Sequence, residues 1–139
     1  MVRGALHPAA MLALLALLSW SANAGAHEIR PAVADLSVDR DGGYEASIEL
    51  NLEALLAGIG PDHSDTSEAP GAAEYAGLRS LSPDGLRREF DGFAEQFLDG
   101  AMLHAGDTRL RPAIRSVQVP PVGDTGFPRR SRIVIGGTL

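Results

Sequence analysis

Three histidines, His27, His63 and His104, hold most of the chemistry that this sequence offers. His27 follows Ala22-Asn23-Ala24-Gly25-Ala26, where small residues recur at the two positions that signal peptidase reads. Ala22 and Ala24 satisfy a cut before Gly25, which leaves Gly-Ala-His at the new terminus. Its amine, deprotonated amides and imidazole then form a planar nitrogen site suited to Cu(II) or Ni(II). Ala24 and Ala26 satisfy a cut before His27. That frame leaves a terminal histidine that chelates through its amine and ring, with His104 or His63 as the remote ligand. His63 itself stands among Asp62, Asp65 and Glu68. Such a set binds a divalent ion only weakly, because a loop of this kind preorganises nothing. His104, beside Leu103 in a strand-like segment, reads as a hydrogen-bonded structural histidine.

Other reaction chemistry finds no template. The chain has no Cys, which excludes thiolate zinc sites, iron–sulfur clusters and cysteine nucleophiles. It has no G-x-S-x-G, phosphate-binding loop or H-E-x-x-H. His63-Ser64-Asp65 has triad residue types, but a triad is assembled in space and not by adjacency. Asp39-Arg40-Asp41 begins like a calcium loop. Gly43 then occupies a ligand position, Tyr44 the glycine position and Leu50 the final glutamate position, so the match fails. The expectation is a protein that is not an enzyme and has no organic cofactor.

The segment before His27 reads as an export signal. Arg3 is its one charge, and Ala9 to Leu18 is an unbroken apolar run. A bilayer span needs roughly 20 apolar residues, so this run fits the core of a secretory signal instead. Removing residues 1–26 from 139 leaves 113, enough for one modest core. The formal charge of −6 becomes −7 when Arg3 is lost, and every one of the 12 basic residues is Arg. An acidic chain without a basic patch is a poor nucleic-acid binder, because phosphates demand clustered cations.

The elements that would position these groups follow from periodicity. Ala34, Leu36 and Val38 alternate with Asp35 and Ser37, Arg40-Asp41-Gly42-Gly43 is a turn, and Tyr44 to Leu50 alternates again. This predicts a half-buried antiparallel hairpin. Asn51 is a favoured N-cap, and Leu52, Leu55, Leu56 and Ile59 fall at helical spacing until Gly58, Gly60 and Pro61. Residues 61–71 read as an exposed polar loop, and 72–81 as a short helix with Tyr75 and Leu78 as its apolar contacts. Ser82-Pro83 starts a longer helix whose Leu86, Phe90, Phe93, Phe97 and Leu98 share a core-facing stripe, with Gly100 placed to stop it. A second hairpin over 102–111, a strand over 114–119 and another from Arg132 follow. Strands around a helical middle predict an α+β fold: a small, sandwich-like antiparallel sheet with a helical insertion over about 51–100.

The start His27-Glu28-Ile29-Arg30-Pro31-Ala32, followed by a short hairpin, resembles the extracytoplasmic N-terminal region of bacterial HupE/UreJ-like membrane proteins. Asn51-Leu52-Glu53-Ala54-Leu55-Leu56-Ala57-Gly58-Ile59-Gly60 is similar to one branch of that group. The resemblance spans most of the chain after the signal and rests on short motifs. In that family the region precedes several transmembrane helices, and some members are linked with nickel supply to hydrogenase or urease. Those helices are absent here, and with them the permease function that would reside in them. The resemblance therefore implies a non-enzymatic extracytoplasmic domain over 27–139, on the periplasmic face and tethered to the inner membrane, with membrane helices or a membrane protein as partner and Cu(II) or Ni(II) as candidate metal. The stop at Leu139, soon after Ile135-Gly136-Gly137, suggests a fragment. The alternative is a plain periplasmic interaction module that binds no metal.

Overall fold

The computed structural model describes residues 31–60, 63, 66 and 69–139. The expected export signal and His27 lie outside them, as do Asp62, Asp65 and Glu68. The first hairpin joins β1 (Val33–Val38) to β2 (Gly43–Leu50). Its turn is closed by Asp39, whose Oδ1 accepts from the amides of Asp41 and Gly43 at 2.9 and 2.7 Å. Gly42, at φ +82°, takes the left-handed conformation that the tight reversal needs. The carboxylate that began a calcium-like motif is thus used by the turn itself.

Three helices follow. Helix α1 (Leu52–Leu56) is capped by Asn51, whose Oδ1 accepts from Ala54 N at 3.1 Å. It ends where Gly58 turns left-handed, at φ +67°. Helix α2 (Ala72–Arg79) buries Tyr75 and Leu78. Helix α3 (Pro83–Gly100) starts at Ser82, whose hydroxyl accepts from Gly85 N at 3.1 Å, with Pro83 in its first turn. It ends at Gly100, and Ala101 is the C-cap, its amide donating to the carbonyls of Phe97 and Leu98. The short strands β3 (His104–Ala105) and β4 (Thr108–Arg109) make a two-residue hairpin around Gly106. Strands β5 (Ala113–Gln118) and β6 (Ser131–Thr138) complete the chain.

The sheet has four antiparallel strands in the order β1-β2-β6-β5. The fold is α+β, as expected, but it is not sandwich-like. One sheet carries a helical layer on one face, because residues 51–100 supply the apolar surface that a second sheet would otherwise bring. Ala46, Ile133 and Ile135 meet Leu52, Leu78, Leu86 and Phe90 in that core, with Ile114 and Val117 packed around them. Phe90 is 1% exposed and meets Phe97 edge-on, with ring centroids 5.5 Å apart. Phe93 and Phe97 are only half-buried, so the aromatic stripe narrows to Leu86 and Phe90 at its centre.

The predicted hairpin is half-buried only on its second strand. Every residue of β1 is exposed, whereas β2 buries Tyr44 and Ala46. Register places Leu36 opposite Ala46 and Val38 opposite Tyr44, so both point to the helical side of the sheet. Helix α3 packs toward β5 at the other side, leaving Leu36 61% and Val38 54% exposed.

Candidate functional site

The structure describes two of the predicted ligands, His104 and His63. His104, which the sequence reads as a hydrogen-bonded structural histidine, is an exposed residue of β3 opposite Arg109. His63 is half-buried in the segment after α1, where its amide donates to Gly60 O at 3.3 Å. Among the described residues, no three His, Asp or Glu side chains gather to hold a metal ion. His27 lies outside those residues, so the terminal chelate stays an expectation of the sequence.

A charge cluster that the periodicity did not reveal lies between α1, α2 and the segment leading into β6. Glu53 is fully buried, and its Oε1 accepts from Arg129 Nε at 2.5 Å. The same guanidinium donates through Nη1 to Leu81 O at 2.9 Å and through Nη2 to Leu78 O at 3.2 Å. Arg129 therefore also caps the carboxyl end of α2, where a cation suits the free carbonyls. Beside it, Arg79 lies 5.2 Å above the Tyr75 ring centroid, and Tyr75 OH accepts from Asn51 Nδ2 at 2.9 Å. Glu53 Oε2 and Arg79 Nη2 are buried without a protein partner and line a small cleft with Asp124, Thr125 and Phe127.

This cluster acts as a pin. Its carboxylate is neutralised by a guanidinium whose other nitrogens serve backbone carbonyls, which ties the long segment between β5 and β6 to two helices. Amphipathic reasoning assigns a glutamate in a helix to the solvent face. The available signal was that Glu53 is enclosed by Leu52, Ala54, Leu55 and Leu56, so this short helix has no polar face to offer. The segment Asn51–Gly60 is thereby spent on the fold: Asn51 caps and braces, Leu52 and Ala54 fill core, and Glu53 holds Arg129.

Among the described residues, β1 is an exposed strand at the edge of the sheet. It pairs with β2 on one side, and among the described residues nothing pairs on the other. Within β1 there is no bulge, proline or lysine; Asp35 is its one charged side chain, and Pro31 stands two residues before it. The opposite edge, β5, is interrupted between Ile114 and Ser116 and flanked by Pro112 and Pro120. On the outer face of the sheet, Glu49 joins Arg132 at 2.5 Å and Arg130 at 3.4 Å. The Arg132 hydrogen bond holds the Glu49 carboxyl below the usual carboxylate range, burial opposes it, and the Arg130 charge adds to the lowering. No family model matches this chain, and neither the curated proteins nor the solved structures compared with it give a match.

Proposed function

We propose that residues 27–139 form a non-enzymatic extracytoplasmic domain that works by docking a protein strand on the edge of β1. The observation that carries this reading is Leu36 and Val38 standing uncovered on a regular strand with an open edge. An incoming strand gains main-chain hydrogen bonds from the edge and side-chain burial from these two residues. The export reading rests on the apolar run before the Ala22–Ala26 cleavage sites, and the membrane association on the resemblance to HupE/UreJ-like proteins. Among the described residues, no helix is long and apolar enough to cross a membrane.

The test is to express the chain with its own leader in a bacterial host, fractionate the cells and sequence the amino terminus. A periplasmic or membrane-fraction product starting at Gly25 or His27 supports the reading; a cytoplasmic product starting at Met1 refutes it. Photo-crosslinking from position 36 should then capture a protein neighbour, and crosslinking from Asp107 on the β3–β4 turn should not.

A second reading, metal handling at the processed terminus, is favoured by Ala-His standing at a cleavage site. Calorimetric titration of the processed protein with Cu(II) and Ni(II), with and without His27→Ala, tests it. Equal affinity in both proteins removes the site. A His27 start should also need a remote ligand, with His104→Ala the first variant to weaken it, whereas a Gly25 start should not.

A further inference from the structure

We infer that the strand docked on β1 is the β1 of a second copy of this chain, related by a two-fold axis with Leu36 opposite Leu36; the inference rests on the docking reading above. Backbone parity carries the first part of the argument. Asp39 N donates to Gly43 O at 2.8 Å, so Asp39 and Gly43 form a hydrogen-bonded pair of the hairpin. Such pairs alternate along an antiparallel ladder, so Ser37, Asp35 and Val33 also turn their N–H and C=O toward β2. Ala34, Leu36 and Val38 consequently turn theirs to the open edge. The residues with outward backbone groups are those whose side chains lie on the helical side of the sheet.

Self-complementarity carries the second part. An antiparallel pairing centred on Leu36 sets Leu36 against Leu36 in a hydrogen-bonded pair and Ala34 against Val38 on both sides of it. Asp35 then faces the Ser37 hydroxyl of the other copy. Centring on Asp35 would pair the outward groups of Ala34 and Leu36 equally well, but it would set two carboxylates face to face, which is destabilising. The apolar side chains meet on one face and the polar ones on the other, as an isologous contact requires. Both helical layers fall on the same face of the resulting eight-stranded sheet, because the axis runs perpendicular to it. Six residues a side bury less than a standard interface, so the association is read over a wide concentration range.

Sedimentation velocity of the exported, processed protein over a wide concentration range reads the association. The wild type should shift from monomer to dimer. Leu36→Asp and Leu36→Lys should each stay monomeric with unchanged circular dichroism, since position 36 is exposed in the monomer. Mixing the two variants should restore a dimer, because this register alone places residue 36 against itself. A wild type that stays monomeric at millimolar concentration overturns the inference. A wild-type dimer together with a mixture that does not associate overturns it too. The docking reading outlasts either failure if photo-crosslinking from position 36 still captures a different protein, and falls with it if no neighbour is captured.

Discussion

Arg129 Nε meets Glu53 Oε1 at 2.5 Å across 76 residues of sequence, and both side chains are withdrawn from water. This pair is the longest-range polar tie between the helical layer and the segment that leads into β6. A lone buried charge is far costlier than a buried pair, so the two residues should behave as a unit. Glu53→Met or Arg129→Met should each lower stability by about 3–5 kcal/mol. The combined Glu53→Met, Arg129→Met variant should lose less than the sum. Urea midpoints for the four proteins close the cycle, and additive losses would show that the pair is not coupled.

Phe90 and Phe93 separate core from rim within one helix. Phe90→Ala should cost about 3–5 kcal/mol, the range for a buried phenylalanine. Phe93 is half-buried, so Phe93→Ala should cost clearly less. Equal shifts in the thermal midpoint would mean that α3 lies rotated about its axis relative to this packing.

Gly136 lies where β6 crosses Tyr44, and a β-carbon there would come 2.6 Å from the Tyr44 carbonyl oxygen. Gly136→Ala should therefore destabilise by about 1–3 kcal/mol, as overpacking does when backbone has to move. Gly123→Ala, with open space around it, is the matched control. A neutral Gly136→Ala would show that the β2–β6 pair can shift to accept a methyl group.

Glu49 gives a sign-definite pH effect. Its folded carboxyl titrates below its unfolded value because Arg132 donates to it. The associated stabilisation is therefore full above the unfolded carboxylate range and disappears as pH falls through the folded value. Between neutral and acid pH, the wild type should lose slightly more stability than Glu49→Gln. Molar salt should shrink the difference, since Glu49 and its arginines lie at the surface, where ions screen them. Parallel pH profiles in low salt would rule out the contribution.

The local sequence determined the elements because their causes are local. The alternation of Tyr44 to Leu50, the Asn51 and Ser82 caps, the glycine turn after Asp39 and the spacing of Leu86 and Phe90 act within a few residues of themselves. Each is found where the pattern puts it. What only the tertiary structure decided is which faces meet. β6 enters between β2 and β5, so these four strands join in one sheet and β1 is left at its edge, although its alternation resembles that of a covered strand. No pattern within Val33–Val38 can report whether a helix lies above it, because that depends on where α3 comes to rest. Glu53 fails the local rule for the same reason. Its burial is stabilised by Arg129, a residue 76 positions away, and charge compensation at that separation is a property of the folded chain alone.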